Sequence, residues 1–308
     1  MIITVTPNPA IDKIYWIERL CLEDGEMPVM RATRSYLTAG GKGINVSIFL
    51  ARLNIETIAM GFIAGETGRA VERRVRDEGI TTSFIWVEGE TRTNVTILEH
   101  GHEARPIQIT EQGPTVPPEA LKRFITQYKR ALQRARYVFL GGSLPPGVPE
   151  TFYQELTRLA HARRVPVIVN AAGEALTQAL SEKPWLVKPD TRQRPLGTPE
   201  EILHTGQEWI ARGIGAVLVS HNITHDVFIT PQGAWDLEAR DVQFKNLLGA
   251  EDALIAGTLS ATAQGAPLEE AVRWGMAAAT ACAESEELVV TDRHRIEQAL
   301  TKVHVHHL

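Results

Sequence analysis

A carboxylate in the first turn of a helix, just behind a glycine, is well placed to take a proton from a hydroxyl beside backbone amides. Gly249-Ala250-Glu251-Asp252 has that form, at the start of a segment, Ala250–Gln264, that reads as helical. Asp252 is the candidate general base; alternatively it only complements the helix dipole. Gly40-Gly41-Lys42-Gly43-Ile44-Asn45 sets three glycines and a lysine ahead of another helix. Such a run lets backbone approach an anion at the positive end of a helix. It lacks the first glycine and the Ser/Thr of a P-loop and is not GxGxxG, so a plain glycine turn is the competing reading. Gly141-Gly142-Ser143-Leu144-Pro145-Pro146-Gly147 follows an apolar run. Small residues at the carboxyl end of a parallel strand are where open α/β sheets hold ligands, although a strand-to-helix turn uses them too. In Thr91-Arg92-Thr93-Asn94, an arginine and an amide suit a phosphate and hydroxyls, or else form a solvated strand edge. Thr6-Pro7-Asn8-Pro9-Ala10-Ile11-Asp12 offers Asp12 as a short, rigid acceptor for paired sugar hydroxyls, or is an ordinary polar turn.

Holding these pieces together requires a scaffold, and the pattern supplies one. Short β-rich runs (Ile2–Val5, Ile58–Ile63, Val138–Gly141, Pro166–Asn170, Leu186–Lys188, Ala216–Ser220) alternate with amphipathic ones. The latter are Ile44–Leu53, Thr67–Glu78, Pro118–Arg134, Pro149–Arg163, Pro199–Arg212 and Ala250–Gln264. That alternation predicts βαβ units, and the nearly unbroken apolar strands predict a mainly parallel sheet covered on both faces. Tyr15–Tyr36 and Ile85–Ile109 break the rhythm and read as short strands of a small projecting sheet, with a turn at Glu88-Gly89-Glu90. No linker or repeat is evident. The expectation is one α/β domain over residues 1–308, with a β-sheet lid formed by about 13–38 and 84–110.

Composition narrows the function classes. A net charge of −5 and a pI of about 6.1 give no basic surface for nucleic acid or anionic membrane. No apolar run is long enough for a membrane span, and Met1 leads straight into Ile2-Ile3-Thr4-Val5 without a signal-peptide pattern, so a cytoplasmic location is expected. Cys21 and Cys282 have no metal-ligand spacing and read as packing residues of a reducing compartment. The closing His304-Val305-His306-His307 reads as a floppy tail rather than a metal site.

Taken together, TPNPAID, GGKGINVS, TRTN and GSLPPGVP resemble the PfkB carbohydrate kinases of the ribokinase-like fold, in that family's order and spacing across nearly the whole chain. The pattern is most similar to that of 1-phosphofructokinase and tagatose-6-phosphate kinase. The resemblance implies a three-layer α/β sandwich with a mostly parallel central sheet and a β-sheet lid, often paired in a homodimer. It also implies transfer of the γ-phosphate of ATP to a sugar phosphate, with Mg2+ bridging the nucleotide phosphates. By position, Asp12, Gly40, Gly41, Asn45, Arg92 and Ser143 match sugar-phosphate contacts, and Lys42 lies within the same loop. Arg31 matches a lid arginine that in some relatives reaches a neighbouring subunit's substrate. Asp252 matches the catalytic base, in an anion hole made by Gly249, Ala250 and Glu251.

The nucleotide side departs from the family pattern. Glu251 stands where the pattern has glycine, bringing a carboxylate to where phosphate charge gathers. Like charges roughly 5 Å apart at an effective dielectric of about 20 repel by about 3 kcal/mol, and that is about a hundredfold in rate. A left-handed backbone at 251 would add about 1–2 kcal/mol of strain. The magnesium-ordering Asn-x-x-Glu reads Asp190-Thr191-Arg192-Gln193 after Lys188-Pro189, with carboxylate and amide exchanged. The Ser-x-Gly-x-x-Gly nucleotide loop has become Ser220-His221-Asn222-Ile223-Thr224-His225, without its glycines. Lys188, Ser220, Asn222 and His225 are thus the candidate nucleotide contacts, and Asp190 and Gln193 the candidate metal ligands. Asn170-Ala171-Ala172-Gly173 is a milder departure. Two readings follow: a sugar-phosphate kinase with an altered donor site, or a non-catalytic sugar-phosphate sensor on the same scaffold.

Overall fold

A computed structural model describes residues 1–20, 29–102, 105–191, 197–245, 247–285 and 292–308, so Cys21 and Gln193 lie outside the described residues. The chain begins β1 (Ile2–Thr6), β2 (Ala10–Ile17), β3 (Ala32–Gly40), α1 (Lys42–Arg52), β4 (Thr57–Ile63), α2 (Gly65–Asp77) and β5 (Thr81–Trp86). It continues β6 (Arg92–Glu99), β7 (Ile107–Ile109), α3 (Pro118–Ala131), β8 (Tyr137–Gly141), α4 (Phe152–His161), β9 (Val167–Asn170) and α5 (Gly173–Leu180). Next come β10 (Leu186–Val187), α6 (Pro199–Ala211), β11 (Ala216–Ser220), β12 (His225–Thr230) and β13 (Gly233–Ala239). The last elements are α7 (Ala250–Ala263), α8 (Leu268–Ala283), α9 (Arg293–Leu300) and β14 (Val303–His307).

Ten strands form one sheet in the order β14-β13-β12-β11-β10-β9-β8-β1-β4-β5. Pairing is parallel from β5 through β11 and antiparallel from β11 to β14. Alternate residues of each central strand go to opposite faces, as the pleat requires. Val138 and Leu140, Val167 and Val169, and Val217 and Val219 pack with Phe124, Tyr128, Phe152 and Leu156 of α3 and α4. Phe139, Ile168 and Leu218 face the other way, onto α1, α7, α8 and α9 through residues such as Phe49, Leu254, Met276 and Ile296. This is the expected three-layer sandwich. The Pro/Thr helix start read at residue 198 is a full capping box, Thr198 and Glu201 bonding each other's backbone, with Pro199 at the first helical position.

A second, four-stranded sheet has the order β3-β2-β6-β7. Its base sits on the main body where Ile11 and Ala39 pack with Ile44 and Ile48 of α1 and Val71 and Val75 of α2. Two local expectations need correction. Glu88-Gly89-Glu90 does not turn a hairpin: β5 pairs with β4 at the edge of the large sheet, whereas β6 belongs to the small one. Glu90 instead reaches back to the start of α2, its carboxylate accepting from the Thr67 and Glu66 amides at 3.1 and 3.2 Å. Those backbone bonds hold its carboxyl below the usual range. Nor is the histidine-rich end a floppy tail. Val303–His307 is the edge strand β14, antiparallel to β13, with Val303 buried and the His307 ring edge-on to Trp235. The β13 edge supplies backbone partners that a local reading of the tail could not anticipate.

Candidate functional site

The carboxyl ends of the parallel strands and the inner face of the small sheet enclose a cavity of about 1330 Å³. This is where an α/β sheet of this type places its ligands. Asp12, Arg92 and Ser143 line it, as do Gly41, Lys42, Asn45 and the run Gly249–Asp252. Asp190, Ser220 and Asn222 line it as well. The motifs quoted from the sequence therefore converge on one hollow.

At one end the small sheet sets the geometry. Strand register puts Asp12 of β2 opposite Asn94 of β6, and Asn94 Nδ2 donates to Asp12 Oδ1 at 2.8 Å. Gly40 leaves room for that carboxylate: a Cβ there would lie 1.9 Å from Asp12 Oδ2. Arg92 Nε and Nη2 donate to the Asn8 carbonyl at 3.2 and 2.9 Å, and Nη1 to the Glu111 carbonyl at 3.3 Å. Asn8 Nδ2 in turn donates to the Gln112 carbonyl at 2.9 Å and to Ser143 Oγ at 3.3 Å. Asn8 thus ties three motifs together, a role invisible in the sequence because its partners are 84 to 135 residues away.

The start of α7 lines the same cavity. Gly249 is its N-cap in the left-handed region, with φ 79°, a conformation glycine adopts without strain. Asp252, in the first turn and buried, accepts from Asn45 Nδ2 at 2.7 Å. Asn45 is held on α1, whose own start is tied down by Thr6 Oγ1 accepting the Ile44 amide at 2.9 Å. The carboxylate that could act as a base is therefore fixed by a residue of the glycine-rich motif.

Glu251 differs from the sequence expectation on both counts. It lies within helical α7 and not in the left-handed region, so the position carries no backbone strain. Its charge is not left facing the cleft alone either. Oε2 is 3.0 Å from Lys42 Nζ, and Oε1 is 3.5 Å from Lys188 Nζ. Lys42 also approaches Asp190 Oδ2 at 3.5 Å. Lys188 is fully buried behind the cavity wall, fixed by its backbone amide donating to the Val169 carbonyl at 2.9 Å and by Asn170 Nδ2 donating to its own carbonyl at 2.7 Å. The expected repulsion is thus met by two ammonium groups.

Sequence reasoning missed Asp226 of β12, which lines the same region and accepts from Ser220 Oγ at 2.6 Å. Burial pushes its carboxyl up to about 6; Lys188 and the Ser220 bond oppose the rise, while Glu251 and Asp236 add to it. Compared with an unfolded value of 3.8, the raised value favours the folded state at low pH, and that benefit is lost as pH rises through about 6. From pH 4.5 to 7.5 the loss is about 2 kcal/mol. Asp226→Asn should remove this dependence. Urea midpoints of both proteins at the two pH values check it, and parallel pH profiles would contradict it.

Of the remaining candidates, His225 and Arg31 fall outside the cavity lining. Ser220–His225 is the tight turn between antiparallel β11 and β12, with the Thr224 amide donating to Asn222 Oδ1 at 2.8 Å. His225 points away from the cavity, its ring 2.9 Å from Thr224 Oγ1 and 3.8 Å from Glu238. Arg31 is exposed ahead of β3 and does not line the cavity. Among the described residues no group of three or more His, Cys, Asp or Glu could hold a metal, and no helix is long and apolar enough to cross a membrane. Cys282 is a buried thiol on α8, its Sγ 3.7 Å from the Leu248 carbonyl.

Comparison with known proteins agrees with this geometry. The model of the pfkB family of carbohydrate kinases matches residues 6–292. A 1-phosphofructokinase of Bacillus subtilis strain 168 is 33% identical, covering 99% of both chains. A D-tagatose-1-phosphate kinase of Bacillus licheniformis is 31% identical, covering 100% of both. A crystal structure from Thermotoga maritima, described as a possible 1-phosphofructokinase, superposes with a TM-score of 0.92 at 30% identity, covering 100% of this chain and 99% of that one. The family motifs meet in one cavity, and the likeness runs from end to end of the chain: it belongs to the pfkB family of carbohydrate kinases.

Proposed function

We propose that this protein is a 1-phosphofructokinase-type enzyme that transfers the γ-phosphoryl group of ATP to a free hydroxymethyl group of a ketose phosphate. The observation that carries the reading is Asp252, buried at the start of α7 and held by Asn45 at 2.7 Å, lining the same cavity as Asp12, Asn94 and Arg92 of the small sheet. Asp12 and Asn94 suit sugar hydroxyls, and Arg92, linked to Ser143 through Asn8, suits the sugar's phosphate. Asp252 accepts the hydroxyl proton as the oxygen bonds to the γ-phosphorus; the bond to the β-phosphate oxygen breaks and its electron pair leaves with ADP. The α7 amides and helix dipole face the charge in transit.

Magnesium fits the donor end. The ion favours one or two carboxylates completed by nucleotide phosphates and water, and Asp190 lines the cavity beside Lys42. Asp190 would hold the ion; when bound, it neutralises phosphate charge. The names of the relatives extend the acceptor list to ketose 1-phosphates. The small sheet serves as a lid, and its exposed Tyr36 and Leu37 on the β3 edge and Ile107 and Ile109 on the β7 edge support pairing with a second copy, with Arg31 just ahead of β3. A cytoplasmic location suits an enzyme of phosphorylated sugars. A non-catalytic sensor is the second reading, favoured by Glu251 already engaging both lysines.

The test is ADP release from MgATP with fructose 1-phosphate, fructose 6-phosphate, tagatose 1-phosphate and tagatose 6-phosphate. One of them should turn over, and Arg92→Ala should raise its KM about 100-fold, as expected for a lost charge-assisted phosphate contact of about 2–3 kcal/mol. No turnover across the panel, with sugar phosphate bound in calorimetry and ATP not bound, would replace the kinase reading by the sensor.

A further inference from the structure

We propose that Glu251 is an internal anion that occupies the donor-phosphate position and must be displaced before a nucleotide can bind productively. The inference rests on the kinase reading above only in calling the displacing ligand a donor. Its physical basis is the arrangement of three side chains. Each oxygen of one carboxylate faces a different lysine, Lys42 at 3.0 Å and Lys188 at 3.5 Å. Both lysines are largely removed from water, with side chains 7% and 0% exposed, while Glu251 keeps 25% exposure toward the cavity. Lys188 Nζ has no hydrogen-bond acceptor among the described residues. Buried ammonium groups are costly unless an anion meets them. A pair of lysines converging at the start of α7 is a seat for a phosphate, and here the chain fills that seat with its own carboxylate.

Two consequences follow. Binding a polyphosphate becomes an exchange of one anion for another, so its net gain is smaller than for an open pair of lysines. The empty protein, in return, keeps its lysines neutralised. Glu251 thereby sets donor affinity and stabilises the unliganded state, whereas the acceptor end, built on the small sheet, is independent of it.

The experiment compares the native chain with Glu251→Gln and Glu251→Gly by calorimetry, using MgATP, inorganic pyrophosphate and adenosine as probes. MgATP should bind at least tenfold more tightly to the variants, and adenosine, which has no phosphate, within twofold of native. The unliganded variants should melt earlier than the native chain and recover on adding pyrophosphate. Unchanged or weaker MgATP binding by a folded variant, or adenosine tightening as much as MgATP, would overturn the proposal. If neither variant folds, the native chain decides it by carbodiimide labelling of carboxylates. Glu251 should label at least twofold faster with MgATP than with adenosine, and equal or slower labelling counts against displacement. Sugar-phosphate turnover by the native chain is measured separately. Tighter MgATP binding without turnover would keep this inference and remove the kinase reading; turnover without tightening would do the reverse.

Discussion

Asp252→Asn should fold like the native chain and lose about 10²–10⁴-fold in kcat, the range that a positioned general base contributes. The substitution keeps the shape of the side chain and its place in α7. It also keeps an oxygen for the Asn45 amide, which now bonds Asp252 Oδ2 at 2.7 Å. What it removes is the ability to take a proton from the acceptor hydroxyl. KM for the sugar phosphate should therefore stay within about threefold, because the groups assigned to its grip, Asp12, Asn94 and Arg92, belong to the small sheet and are untouched by the substitution. Coupled ADP release with thermal melting as a folding control checks both halves. A loss in kcat below tenfold in a well-folded variant would remove Asp252 from the chemical step.

The second large effect is expected at Lys188. Lys188→Met retains an unbranched apolar stem in a position with no exposed surface and deletes the charge that meets Glu251. Truncating one member of a buried charge pair costs about 2–5 kcal/mol, and the same ammonium is lost to donor phosphates. A fall of about 10²–10³-fold in kcat/KM for MgATP is expected. The sugar phosphate should be much less affected, since no acceptor-end group bonds Lys188. Asp226 reports the change independently. Lys188 holds its carboxyl down against burial, so without the lysine that carboxyl rises further above about 6. The stability that Asp226 gives the protonated fold then persists to higher pH before it is lost. Unfolding measured from pH 5 to 8 should show that upward displacement, and an unchanged profile would mean that Lys188 and Asp226 do not interact.

The sequence made some features of this molecule plain and hid others for identifiable reasons. Strands such as Val138–Gly141 and Ala216–Ser220 announce themselves because both faces are covered, giving unbroken apolar runs. The strands β12, β13 and β14 do not: they form an antiparallel ribbon at one side of the sheet, where Asp226, Asp236 and His306 alternate with apolar residues and blur into loop composition. Within the site, the motifs identified which groups are present but not what they touch. Glu251 reads as an uncompensated charge only until Lys42, 209 residues earlier, is found against it. Asn8 sat inside a quoted motif without a role of its own, because its three partners come from other strands and loops. Local patterns report backbone preference and burial; the pairing of charges across the cavity is a property of the closed fold.

Asp12, Arg92 and Asn94 ride on the four-stranded sheet, while Asp252 is anchored in the ten-stranded body. The span between acceptor grip and proton acceptor is therefore a distance between two plates, joined at their base by Ile11 and Ala39 against Ile44 and Ile48. Trimming or enlarging those four buried side chains should tilt one plate against the other. The length of phosphosugar accommodated could then be retuned from underneath, with every polar group of the pocket left in place.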